Sequence, residues 1–179
     1  MRSFLSKGDR VKMVAIIRPM ELSDVPRVAE IHVFGWRSAF RDIVPDRVLF
    51  GRMSVQKSMK RFEDSLAADI PYDTYVYDDG IIWGWMSAGP CRDEDESNAF
   101  ELGGIYIEPC KKGRGIGTQL VTFCEEIARQ RGYNKMCIWT LKDNAPTRAF
   151  YEKLGYTHDG ARKLLENLPA YAVRYVKNI

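Results

Sequence analysis

The sequence has only two histidines, His32 and His158, and its four cysteines (Cys91, Cys110, Cys124, Cys137) form no Cys-x-x-Cys pair. Metal-binding frames need clustered Cys and His, and small secreted scaffolds need paired Cys, so neither a metal site nor a disulfide framework is expected. Scattered, reduced thiols suit a cytoplasmic protein. No apolar run approaches the roughly 20 residues of a membrane span. The first dozen residues are basic but lack the apolar stretch of a secretory signal. Neither sign of charge is in excess: 27 Lys and Arg against 24 Asp and Glu leave +3, too little to point to nucleic acid. Repeats and low-complexity tracts are absent, and so is any Gly-Lys-Ser or Gly-Lys-Thr, which excludes a nucleotide P-loop.

What is present is a globular composition, 45% hydrophobic and 12% aromatic over 179 residues. That suits a single domain with a substantial core. Residues 14–179 are assigned to it, after a flexible lead-in over 1–13. Val14 to Ile17 reads as a strand closed by Arg18-Pro19, and Ser23-Asp24 as the cap of a helix running to Ala39. Pro45 to Ala68 reads as two helices split between Gly51 and Ser54. Thr74–Tyr77 and Ile81–Ala88 form a hairpin through Asp78-Asp79-Gly80. Further on, Lys135–Leu141 is a strand, Asn144 caps a helix that stops at Gly155, and strands at Tyr156–His158 and Tyr171–Val176 flank a long excursion from Ala161 to Pro169.

The chain is organised around Gly103 to Arg131. An alternating strand through Ile105 and Ile107 ends at Pro109, which has no amide hydrogen for a sheet. Lys112-Gly113-Arg114-Gly115-Ile116-Gly117 follows, with glycines at every second position, and a helix through Ile116, Leu120, Cys124 and Ile127 begins directly after it. Unpaired amides at a helix N-terminus favour an anion, and Lys111, Lys112 and Arg114 add positive charge. A phosphate or pyrophosphate is therefore the expected ligand. The dinucleotide pattern Gly-x-Gly-x-x-Gly is not met, because the third glycine comes one residue early.

The loop instead resembles the (Arg/Gln)-x-x-Gly-x-(Gly/Ala) pyrophosphate loop of the Gcn5-related N-acetyltransferases (GNAT), with Lys112 in the first place. A second signature, Asn144 before a helix carrying Phe150-Tyr151 and ending in Gly155-Tyr156, resembles the same family, and the similarity spans about Ile16 to Val176. The resemblance implies a GNAT-like three-layer α/β fold whose mixed, mostly antiparallel sheet is splayed at the acetyl-CoA site. It implies acetyl transfer from acetyl-CoA, without a metal, to a primary amine. In that frame Lys112, Gly113, Arg114, Gly115, Ile116, Gly117 and Thr118 surround the pyrophosphate. The backbone of Ile105, Tyr106 and Ile107 takes the pantetheine as an added strand, and Asn144 hydrogen-bonds the same arm. Tyr151 is the acid for the leaving thiolate, and Glu101 the base for the amine.

Trp36 and Phe40, one helical turn apart, are read as core or as acceptor-pocket lining; they resemble the Trp-x-x-x-aromatic region beside the acceptor in small-molecule members. Trp83 and Trp85 alternate onto one strand face and read as core. Asp93-Glu94-Asp95-Glu96 is a solvated loop or a lure for a cationic amine, and with Trp36 and Phe40 it tilts the expected acceptor toward a small cationic metabolite or antibiotic. Three alternatives stay open: a non-catalytic CoA-binding sensor, a protein N-terminal or lysine acetyltransferase, and a nucleotide-binding enzyme using the same loop. The oligomeric state is open too, a homodimer being one option.

Overall fold

The computed structural model describes residues 14–68, 70–166 and 168–179. The expected lead-in over 1–13 lies outside them. Strands are β1 (Ile16–Pro19), β2 (Asp73–Asp78), β3 (Ile82–Pro90), β4 (Phe100–Ile107), β5 (Lys135–Leu141), β6 (Thr157–Leu164) and β7 (Tyr171–Asn178). Helices are α1 (Val25–Phe40), α2 (Asp46–Gly51), α3 (Val55–Ala67), α4 (Ile116–Gln130) and α5 (Ala145–Lys153). The seven strands form one mixed sheet in the order β1-β2-β3-β4-β5-β7-β6. Every neighbouring pair is antiparallel except β4 and β5. No helix of the described residues is long and apolar enough to cross a membrane.

The strand period of two divides each inner strand between two cores. Met86 and Ala88 of β3, with Phe100 and Leu102 of β4, face Leu120, Val121 and Cys124 of α4 and Tyr151 of α5. Trp85 and Val76 face the opposite way, toward Val28, Ala29 and Ile31 of α1 and Phe62 of α3. Burying one Leu- or Phe-sized side chain contributes roughly 1.5–3 kcal/mol, so the two cores hold helices on both faces of the sheet. A third cluster, Trp36, Val44, Leu49, Leu141 and Ala170, ties α1 and α2 to the end of β5. Trp83 is half-buried, and its indole N–H donates to Asp79 at 2.7 Å.

Local signals set most element boundaries. Gly80 takes φ +97° in the β2–β3 turn, and Gly155 takes φ +86° after α5, a region that costs other residues strain. Ser54 caps α3 by accepting from the Lys57 amide at 3.2 Å. Asp24 acts differently from expectation: its carboxylate accepts from the Glu21 amide at 2.8 Å and pairs with Arg18, capping a short 3₁₀ turn ahead of α1.

The C-terminal arm corrects the sequence reading. Residues 161–164, expected in a long excursion, continue β6, leaving only 165–170 to connect to β7. The register jumps between His158 and Arg162, so Gly160 (φ +96°) sits in a bulge where a turn was expected. Arg174 of β7 anchors that bulge by donating to Asp159 at 2.6 Å. A partner residue far along the chain thus keeps pairing alive across a local break.

Gly35 marks the closest approach of α1 to the sheet. A Cβ there would meet Tyr106 Cδ1 at 2.9 Å and its Cβ at 3.3 Å, and the Tyr106 ring is held against His32 and Trp85. Gly35→Ala would gain about 1 kcal/mol of helix propensity, yet overpacking costs about 1–3 kcal/mol. A lower melting temperature, by a few degrees, is therefore expected in a thermal melt.

Candidate active site

The feature that makes a site is a gap in the sheet. β4 pairs with β5 only at Phe100↔Met136, Glu101↔Cys137 and Leu102↔Ile138. Beyond Leu102 the strands part. On the β3 side the register slips between Leu102 and Gly104, leaving Gly103 as the extra residue of a bulge. Backbone groups of 103–107 on the β5 side therefore have no strand partner. Trp139, Thr140 and Leu141 of β5 face the same opening, which belongs to a cavity of about 1170 Å³.

The glycine loop closes one end. Gly113 (φ +75°) and Gly115 (φ +81°) supply the left-handed backbone that brings the loop round into α4. Gly115 is the N-cap, and no side chain caps the helix, so its first amides stay available to a ligand. Gly117 has a different reason to be glycine: a Cβ would meet Ile107 Cδ1 at 3.1 Å and Phe150 Cζ at 3.2 Å. Gly113, Gly115, Gly117, Thr118 and Lys112 line the cavity. Lys112 donates to Ser38 Oγ at 3.1 Å, and burial lowers its pKa. Arg114 is exposed and Ile116 is buried in the core; neither lines the cavity.

On the other wall, Asn144 is the N-cap of α5, accepting from the Thr147 amide at 3.3 Å, and it lines the cavity. Three tyrosines cluster nearby. Tyr156 donates to Glu125 at 3.0 Å and Tyr175 to Glu152 at 2.6 Å. The Tyr151 hydroxyl makes no hydrogen bond among the described residues, although Tyr151 is buried and lines the cavity. Burial, then the neighbouring Tyr106 and Cys124, push its pKa upward, so it stays protonated at neutral pH. Ile105, Tyr106 and Ile107 of β4 form the wall between. Trp36 and Phe40, 5.5 Å apart edge to face, are core and cavity lining at once.

Glu101, the expected base, does not line the cavity either. Its carboxylate is buried, accepts from the Tyr72 hydroxyl at 2.6 Å and from Arg92 Nε at 2.9 Å, and forms an ion pair with Arg92. Burial alone would raise its pKa, but Arg92 and Tyr72 together hold it below the ordinary carboxylate range. A carboxylate held that way is a weak base. Cys91, Glu101 and Cys137 bring ligand-type atoms within 4.8 Å of one another, but Glu101 is already spent on Arg92 and Tyr72. Neither Cys110 nor Cys124 lines the cavity.

Of the two readings of the acidic loop, the connecting one fits, and the lure does not. Asp93 accepts from Trp139 Nε1 and Arg174, Asp95 is paired with Arg174, and Glu96 with Lys135. Its charges bind the loop to β5 and β7, and none of its residues lines the cavity. In their place stand residues the sequence reading passed over or took only as packing: His32, Arg61 and Ser87. His32 was visible only as one member of the α1 stripe.

The Glu101 arrangement fixes a pH dependence. Its folded pKa is depressed, so its stabilisation is present above its unfolded pKa of about 4.3 and is lost as pH falls through the folded value. Wild type should exceed Glu101→Gln in urea midpoint at pH 7, and the difference should shrink as pH falls from about 4.3 through the lower folded value.

Comparison with known proteins agrees with this geometry. Residues 36–156 match the acetyltransferase (GNAT) family. The N-acetyltransferase YuaI of Bacillus subtilis is 30% identical over 138 residues, 76% of each chain. The PaiA N-acetyltransferase of Thermoplasma acidophilum, solved with coenzyme A, superposes with a TM-score of 0.73 over 93% of this chain and all of its own, at 17% identity. The acetyltransferase YncA of Salmonella typhimurium, solved with acetyl-CoA, gives 0.66 over 92% and 94% at 18% identity. At such identities the structural likeness speaks for the fold alone, but the family match covers β4, the glycine loop and the helix bearing Tyr151. The chain belongs to the acetyltransferase (GNAT) family.

Proposed function

We propose that the chain transfers an acetyl group from acetyl-CoA to the primary amine of a small molecule, by direct attack while both substrates are bound. The observation that carries this reading is the pairing of an unpartnered β4 edge with an unspent phenol, Tyr151, across one gap. Amides of Gly113 to Thr118 and the positive end of α4 hold the pyrophosphate, with Lys112 nearby. Backbone groups of Ile105 to Ile107 take the pantetheine as an extra strand, and Asn144 hydrogen-bonds it from α5. An N–H at Ile105 polarises the thioester carbonyl and stabilises the oxyanion that develops on attack.

The amine must first lose a proton. No Asp or Glu lines the cavity among the described residues, so the proton passes to water rather than to a fixed carboxylate. The amine nitrogen then bonds to the acetyl carbon and the carbon–sulfur bond breaks. Tyr151 donates its hydroxyl proton to the departing thiolate and regains one, through water, from the nitrogen of the new amide. In this scheme Glu101 is a positioning residue: held by Arg92 and Tyr72, it fixes β4 immediately before the bulge.

Tyr151→Phe tests the assignment. It removes one hydroxyl and no ring, so thiol release from acetyl-CoA in the presence of an accepted amine should fall about 100-fold or more. The rise in melting temperature produced by CoA should persist, because the pyrophosphate loop is untouched. Unchanged turnover would remove Tyr151 from the chemistry. Absence of turnover in wild type across an amine library, with CoA still bound, would favour a sensor.

A further inference from the structure

We propose that the acceptor is an amine that also carries a carboxylate on an apolar body, held at its acid end by Arg61. This rests on the acetyl-transfer reading and names the class of its second substrate. The charged side chains lining the cavity are Arg61, Lys112 and Lys153, all cationic. Lys112 is part of the glycine loop and bonded to Ser38. Arg61 comes from α3, on the opposite face of the sheet from α4, where Trp36, Trp85 and Tyr106 form the wall.

Arg61 makes no hydrogen bond or ion pair among the described residues. Arg18 is paired with Asp24 and Asp78, and Arg27 with Glu30 and Glu108; Arg37 donates one N–H to the Met53 carbonyl while its buried Nε has no acceptor among the described residues, and Arg37 does not line the cavity. On α3, Ser58 and Phe62 are buried toward α1, four residues apart, and Arg61 beside them is exposed and lines the cavity. Ser58 is hydrogen-bonded to His32 at 2.8 Å, and Phe62 and Trp85 pack edge to face on the His32 ring. His32 and Arg61 both line the cavity, and burial and then the Arg61 charge push the His32 pKa down to about 3. His32 is therefore neutral, and Arg61 is the fixed charge on this wall.

Trp85 is buried, lines the cavity, and its indole N–H finds no acceptor among the described residues. A guanidinium matches a carboxylate with two parallel hydrogen bonds. A polyamine or aminoglycoside would meet no opposite charge here and would be repelled by Arg61. The stacked Trp85 and Tyr106 rings, 5.4 Å apart, and the edge-to-face Trp36 and Phe40 pair suit an apolar body between acid and amine.

The test uses the full chain with acetyl-CoA and matched sets built on leucine, methionine and phenylalanine: the amino acid, its amide, and the amine lacking the carboxyl group, with spermidine as a polycation. For at least one set, kcat/KM of thiol release should be about 10- to 100-fold higher for the acid than for its amide or plain amine. Arg61→Gln should erase most of that ratio by lowering the acid's rate, while the amide's rate and the CoA-induced rise in melting temperature stay within about twofold of wild type. Equal or faster reaction of amide, plain amine or spermidine, or a preference that survives Arg61→Gln, overturns the proposal. If no amine releases thiol although CoA binds, the transfer reading fails. The same compounds are then titrated onto the CoA-loaded protein by tryptophan fluorescence. Tighter binding of the acid, lost in Arg61→Gln, supports the anion site; equal or undetectable binding overturns it.

Discussion

The site depends on two neighbouring strands that stop pairing. After three rungs of parallel ladder, β4 and β5 diverge at Gly103, and one edge of β4 is left without partners inside the molecule. An unpaired strand edge in a protein interior is costly unless something else pairs with it. In the proposed reaction a linear substrate arm does so, and the bulge that opens the sheet also makes the binding surface. The family membership and the cavity express this one geometrical fact.

Around the gap, charge is arranged so that little of it is loose. Arg174 is buried and gathers Asp93 and Asp95 from one loop and Asp159 from a bulge. Arg92 and Tyr72 hold Glu101 beneath the start of β4. Removing one partner from such a cluster leaves an uncompensated charge, so these groups act as fasteners and are poor candidates for proton transfer. Among the described residues, the groups that line the cavity without internal partners include the first α4 amides, the Tyr151 hydroxyl, Arg61 and Lys153. Chemistry and recognition are assigned here by what the fold leaves unspent.

Much of the architecture was legible from short-range signals. Gly113 and Gly115 take the left-handed conformations that their spacing implied, Asn144 caps α5, and Asp78-Asp79-Gly80 turns the β2–β3 hairpin. The C-terminal arm was misjudged because the bulge at 159–161 is stabilised by Arg174, whose involvement no local pattern signals. What occupies Glu101 and the acidic loop was hidden for the same reason. A carboxylate looks available in sequence until its partner, nine residues away in one case and about eighty in the other, is seen to occupy it.

By itself the sequence determined the anion-binding turn, the helix it starts, the capped helix bearing Tyr151 and the order of both around one strand. Each is set by φ preferences and hydrogen bonds among a few consecutive residues. Only the tertiary structure decided which ionisable groups are free. Whether Glu101 or Arg61 faces the cavity depends on contacts between elements distant in the chain, and a charge's neighbours in space are not written in its neighbours in sequence.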